Sequence, residues 1–334
     1  MTTLPTPPSD LEPDYFAAMG AGFIGAKLLC VASELDVFAR LGDGPRTLEE
    51  LIEATGLPRR PLRVVLNGLT AMGVLTKDGE RYANGREAQA FLTGRTTVDL
   101  RPGLRLYDRL IYPMWMGFET TVRTGEPARH GAPSAEFAKI FSEGVDAWTG
   151  PGARALPDAF DFTPHRRVLD VGGGTGSYLV PILERYPELR GTVLELPPSI
   201  AIAQRKLEGH PLADRVVLEE CDVLFDPIPE GHDVVMMAGF IHLFDPDKLA
   251  TILARVRSAT APGTKLLVID QWMDATHTQP VFGAMLACTY LLISGGGDAY
   301  SLDEATPWFA SAGFRFVEHR HLAGVISLAV FEAV

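Results

Sequence analysis

From residue 166 onward, short unbroken apolar runs alternate with longer stretches in which apolar residues recur every three or four positions. The runs are RVLDVG, GTVLEL, RVVLEECD, HDVVMMAG, KLLVID and, at the end, ISLAVFEA. An apolar run without polar alternation predicts a strand buried on both faces, and strands alternating with helices predict a doubly wound parallel sheet. Earlier in the chain the pattern differs. Residues 14 to 42 carry apolar residues at helical spacing on nearly all sides, which predicts helices in need of a partner surface. Residues 47 to 83 read as a helix (TLEELIEATG), a turn at Gly56 to Pro58, a second helix and a hairpin around KDGERYA, with Thr47 and Glu50 forming a capping box. That order is winged-helix-like. Residues 99 to 160 read as mostly helical, with aromatics at Tyr107, Tyr112, Trp115, Phe118, Phe141 and Trp148.

Composition narrows the function classes. The 334 residues, 46% hydrophobic and 22% charged, are those of an ordinary globular chain with room for two domains. A formal net charge of -12 works against a nucleic-acid partner, which needs clustered positive charge. Cys30, Cys221 and Cys288 have neither disulfide-framework nor metal-ligand spacing, so a reducing cytoplasmic setting is expected. The proline-rich, acidic start has no signal-peptide pattern, and no uninterrupted apolar stretch is read as long enough to span a bilayer, so no membrane partner is expected.

The most informative stretch is VLDVGGGTGSY, residues 168 to 178. Gly172, Gly174 and Gly176 follow the first apolar run, but position 177 is Ser177, so the dinucleotide fingerprint G-x-G-x-x-G fails at its last place. A nicotinamide-dependent oxidoreductase is thereby disfavoured. In an open α/β sheet the ligand lies outside the carboxyl ends of the strands. There Asp170 can meet an ammonium while loop N–H groups meet a carboxylate. Glu195 is placed for two ribose hydroxyls and Asp222 for an adenine amino group, so three acids end three successive strands.

In VLDVGGGTGSY, TVLELP, CDVLFDPIP, GFIHLFDPDKLATIL, APGTKLLVID and SGGGDAYSLDEATPWFASAGF the chain resembles the S-adenosylmethionine-dependent methyltransferases. The resemblance is specifically to the small-molecule O-methyltransferases of caffeate and hydroxyindole type, with their bacterial natural-product branch. It implies an α/β fold: a C-terminal doubly wound Rossmann-like methyltransferase sheet behind an N-terminal, mostly helical, winged-helix dimerisation domain. The expected organisation is a disordered leader at 1–13, a dimerisation domain at 14–95, a helical linker and substrate lid at 96–160, and the S-adenosylmethionine-binding domain at 161–334. The cofactor is then S-adenosyl-L-methionine, leaving as S-adenosyl-L-homocysteine. Its site would comprise Asp170, Gly172, Gly174, Gly176, Glu195, Leu196, Asp222 and Val223.

The resemblance also implies a catalytic place. The family's histidine-aspartate-tryptophan run is matched by His242, Leu243 and Phe244. A histidine can take the proton of a hydroxyl at neutral pH. The two acids that flank it in the family are matched by Asp270 and, within one residue, by Asp298. Leu243 replaces an aspartate, which points to a less polar substrate edge or to C-methylation of an aromatic or 2-keto acid substrate. No metal is expected, since the place near Ser294 holds no second histidine. Trp115, Met116, Phe141, Trp148, Met285, Tyr290 and Ser294 are expected to line a pocket for a small aromatic substrate. A reading from another class, a ligand-sensing regulator using the winged helix, has Arg59, Arg60 and Arg63 on its second helix but acidic surroundings.

Overall fold

The computed structural model describes residues 13–128 and 134–334, and its contacts divide the chain into two units. One runs up to Leu110 and includes Glu143–Trp148; the other comprises Ile111–Ser142 and Thr149–Val334. The leader expected over residues 1–13 lies outside the described residues, apart from Pro13, which begins the helix Pro13–Gly20.

In the first unit, helix Leu48–Thr55 starts on the expected box: Thr47 Oγ1 accepts the Glu50 N–H at 3.2 Å and Glu50 Oε2 accepts the Thr47 N–H at 2.7 Å. Helix Arg59–Ala71 buries Leu62, Leu66 and Leu69, spaced for one helical face, against Leu51, Phe38 and Leu41. Strands β1 (Arg46–Thr47), β2 (Leu75–Asp78) and β3 (Arg81–Asn84) complete the wing in the order β1-β3-β2. One expectation is corrected here. Asp14–Glu34 is long and apolar enough to cross a membrane by length and composition, because its few charged residues stand near its ends and at Lys27. Only 17% of that window is buried, and the helix is interrupted at Ala21 between Pro13–Gly20 and Gly22–Glu34.

The second unit is built on seven strands: β4 (Arg167–Val171), β5 (Arg190–Glu195), β6 (Val216–Glu220), β7 (Val234–Ala238), β8 (Lys265–Gln271), β9 (Phe314–Ala323) and β10 (Ile326–Ala333), in the order β6-β5-β4-β7-β8-β10-β9. The unbroken apolar runs have the expected cause. Leu169, Val171, Val235, Met237, Leu266 and Val268 enter one core, while Val168, Val193, Val234, Met236, Leu267 and Ile269 enter the other. Helices Pro246–Ser258 and Leu302–Ser311 cover the first face; Leu179–Arg185 and the C-terminal part of Ala135–Ala159 cover the second. The sheet is parallel from β6 to β8, but β10 is antiparallel to both β8 and β9. The departure has a local reason: only Gly324 and Val325 separate β9 from β10, too short for a crossover, and Gly324 adopts a φ of 60°.

This antiparallel end rests on Phe309, which stacks on Phe331 with ring centroids 4.1 Å apart. Phe309→Ala should cost about 3–5 kcal/mol of stability through the cavity it leaves. Urea unfolding checks this, and a loss under about 1 kcal/mol would show that the end of the sheet does not depend on that ring.

Candidate active site

The strand order reverses direction at β4, with β5 on one side and β7 on the other, so a crevice opens at the carboxyl ends of β4 and β7. The glycine loop fills its floor. A Cβ on Gly172 would stand 2.2 Å from the Phe240 ring, and one on Gly173 would stand 2.4 Å from the Asp170 carboxyl group. Gly172 also adopts a φ of 66°. These two positions are glycine because the backbone lies directly on neighbouring side chains. Beneath the loop Asp170 is fully buried, and neither of its carboxyl oxygens has a hydrogen-bond partner among the described residues. Burial first, and the Glu195 charge second, push its pKa up to about 8.

Glu195, at the end of β5, is turned back onto the loop. Its Oε2 accepts the Gly174 N–H at 3.2 Å and its Oε1 the Leu196 N–H at 2.7 Å. Burial raises its pKa against the pull of those two donors. Asp222 shapes the turn after β6: Oδ1 accepts the Leu224 N–H at 3.0 Å, and its own N–H donates to Asp226 Oδ2 at 2.7 Å.

Beyond β7 the chain turns at Gly239, with φ 60°, into the single 3₁₀ turn Ile241–Leu243 rather than directly into a helix. This turn carries His242. Its Nδ1 lies 2.8 and 3.0 Å from the two oxygens of Asp270, at the end of β8. A carboxylate only accepts, so Nδ1 is the donor, and in the neutral imidazole Nε2 carries the lone pair. Nε2 has no hydrogen-bond partner among the described residues. The Tyr290 ring stacks on the imidazole with centroids 3.8 Å apart and planes 16° apart. Asp298 meets His242 differently from Asp270: its N–H donates to the His242 carbonyl at 3.1 Å, while its carboxylate accepts the Ala299 N–H at 2.7 Å. Among the described residues the ring's only carboxylate hydrogen-bond partner is therefore Asp270, and Asp298, expected as a second, engages one oxygen in its own turn.

Two family models match this chain: an O-methyltransferase domain over residues 117–315 and an O-methyltransferase dimerisation domain over residues 19–94. The chain belongs to the O-methyltransferase family. It is 30% identical to the tetracenomycin polyketide synthesis 8-O-methyl transferase TcmO of Streptomyces glaucescens, over 92% of this chain and 93% of that one. It is 28% identical to the 3-hydroxy-5-methyl-1-naphthoate 3-O-methyltransferase of Streptomyces sahachiroi, over 92% and 91%. The solved structure of PigF with SAH superposes with a TM-score of 0.86 at 26% identity, covering 96% of this chain and all of that one. The chain is an S-adenosylmethionine-dependent methyltransferase.

The residues of this methyltransferase fit that cofactor. Asp170 is an orphaned buried carboxyl group of the kind a cationic ligand group would compensate, and a Cβ on Gly174 would meet nothing within 4 Å, so the approach to the loop is open there. Glu195, already seated on the loop, would take the ribose hydroxyls. Among the other positions expected to hold the cofactor, Leu196 is half exposed, whereas Val223 is buried in the core with its carbonyl held by Arg255 Nε at 2.9 Å.

The expected substrate walls fall in different places. Trp115 pairs with Phe118, centroids 4.6 Å apart, and its helix Tyr112–Trp115 packs against helix Val281–Ser294, which carries exposed Met285 and half-buried Tyr290 and Ser294. Met116 is largely exposed, and Phe141 stacks on Phe137. Ser294 closes its helix, its hydroxyl donating to the Tyr290 carbonyl and accepting the Gly297 N–H. Trp148 lies in the N-terminal unit, against Tyr107 and over Gly103, where a Cβ would stand 2.5 Å from the indole. Sequence reasoning missed Gln271, whose Nε2 donates to the Tyr290 hydroxyl, and Lys206, whose Nζ donates to Thr175 Oγ1 of the glycine loop at 2.8 Å. A polar residue at a strand's carboxyl end was the available signal for Gln271.

The raised pKa of Asp170 makes a signed prediction. Below about 3.8 the group is protonated whether the chain is folded or not; between there and about 8 only the unfolded chain sheds the proton. Wild-type stability relative to Asp170→Asn should therefore fall as pH rises through that window and level off above it. Thermal melts of the ligand-free proteins at several pH values check this, and a difference independent of pH would contradict the buried protonated carboxyl.

Proposed function

We propose that this methyltransferase acts as a homodimer on a hydroxyl of a small aromatic natural-product precursor, with His242 as general base. The observation that carries this reading is the His242–Asp270 pair: Nδ1 is held by a carboxylate at 2.8 Å, and Nε2, which carries the lone pair of the neutral ring, has no hydrogen-bond partner among the described residues. When bound, S-adenosylmethionine would supply a methyl group on a positively charged sulfur, whose carbon–sulfur bond breaks as the oxygen–carbon bond forms, so that the sulfur departs as the neutral thioether of S-adenosylhomocysteine. His242 Nε2 takes the hydroxyl proton as the substrate oxygen forms its new bond to carbon, and Asp270 stabilises the imidazolium. Glu195 and the glycine loop fix the donor's place, so alignment supplies much of the rate and no covalent enzyme intermediate is needed.

Aromatic side chains support a flat substrate: Trp115 and Phe118 stand on elements packed against the helix that carries Tyr290. Leu243, half-buried beside His242, supports a substrate edge without a polar group there. Two relatives are named for O-methylation, one of them of a hydroxynaphthoate. Exposed Phe16, Met19, Phe23 and Ile24 on the first helices, together with the dimerisation-domain match, support a second copy covering that face.

The test is a panel of phenols and aromatic hydroxy acids incubated with methyl-labelled cofactor, with the label located by mass spectrometry. Label on oxygen is expected; label found only on carbon would contradict the proposal. His242→Ala should lower turnover roughly 10²- to 10⁴-fold, with cofactor affinity hardly changed. Asp270→Asn should lose less, because an amide still holds the ring but stabilises its charged form poorly.

A further inference from the structure

One edge bond does not fix an aromatic base. The Asp270 carboxylate holds Nδ1 of His242, but the imidazole plane can still turn about the line joining them. Tyr290 removes that freedom on one face, with its ring 3.8 Å away and nearly parallel. The Tyr290 hydroxyl is bonded by Nε2 of Gln271, which is 2% exposed and follows Asp270 directly on β8. The Gln271 N–H also donates to Asp270 Oδ1 at 2.9 Å. Adjacent residues of one strand thus control the base in two directions, one through its edge and the next through the ring on its face.

Gln271 supplies an independent sign of purpose. Its Oε1 is buried and has no hydrogen-bond partner among the described residues, an arrangement that costs stability compared with an apolar side chain. Such a cost is kept where the other end of the amide has a task.

We propose that Tyr290 and Gln271 are positioning residues for His242, with Gln271 holding the Tyr290 ring and that ring holding the imidazole plane. The proposal rests on the reading of His242 as the base, and it assigns Tyr290 a task other than lining the substrate pocket. The ring, rather than the hydroxyl, is the part that touches the imidazole. Leucine therefore loses the effect, while Tyr290→Phe, which keeps the ring but drops the bond to Gln271, and loss of the Gln271 amide both give the same smaller, intermediate result.

The experiment that needs no substrate uses full-length protein with nitrogen-15-labelled histidine and saturating S-adenosylhomocysteine, and reads the exchange of the His242 Nδ1 proton with water. Tyr290→Leu should speed that exchange by roughly tenfold or more and Tyr290→Phe by less than about threefold. Melting temperature and S-adenosylhomocysteine affinity serve as controls for folding. Unchanged exchange in Tyr290→Leu overturns the proposal. With the hydroxyl compound that the panel returns, Tyr290→Leu should lower kcat by about tenfold or more while KM moves less than about twofold. A loss confined to KM overturns the positioning role and makes Tyr290 a pocket wall. If His242→Ala keeps full kcat while Tyr290→Leu still speeds exchange, the general-base reading fails separately.

Discussion

The order of strands in one sheet governs this molecule. Because β4 lies between β5 and β7, and β7 lies beside β8, the parallel run delivers the ends of four strands to one edge. Asp170 and Asp270 stand one residue before the ends of β4 and β8, Glu195 ends β5, and the His242 turn follows β7. No two of these residues are close in sequence, and no local propensity places them together. The two cores that sandwich the sheet hold the strands in register, and the residues at its edge inherit that precision.

The two halves of the edge use different chemistry. Around β4 and β5 the backbone approaches closely and leaves a carboxyl group buried without a partner, a local cost in the free protein that a bound cation would relieve. Around β7 and β8 the groups that bear on the imidazole are paired, the ring with Asp270, the phenol of Tyr290 with Gln271 Nε2 and the His242 carbonyl with the Asp298 N–H, while Gln271 Oε1 stays without a partner among the described residues. One half is arranged to gain from a ligand. The other is arranged to stay still.

Much of this was legible in the residues. Unbroken apolar runs reported buried strands because both faces of the sheet are covered, and VLDVGGGTGSY reported the loop because glycine alone fits over Phe240 and Asp170. His242 and Asp270 could be named only through the family resemblance carried by GFIHLFDPDKLATIL and KLLVID. Other features had no sequence signal. The antiparallel turn at Gly324 depends on the length of a connection, whereas strand runs alone do not give direction. Asp298, expected as a second carboxylate beside the ring, turns one oxygen to the Ala299 N–H and meets His242 through its own N–H. The stack of Tyr290 on the imidazole joins residues of a turn and a distant helix, and such pairs emerge only from packing. Trp148 shows the converse: helical spacing of aromatics does not reveal which unit they pack in.

The central claim is that the glycine loop and the histidine turn serve a single reaction at one edge of the sheet. Its most direct test is a crystal structure of the full-length protein with S-adenosylhomocysteine. The account predicts the ribose against Glu195, the amino-acid end over the glycine loop, and the sulfur on the side facing His242. A ligand bound away from that loop, or a sulfur turned away from His242, would contradict it.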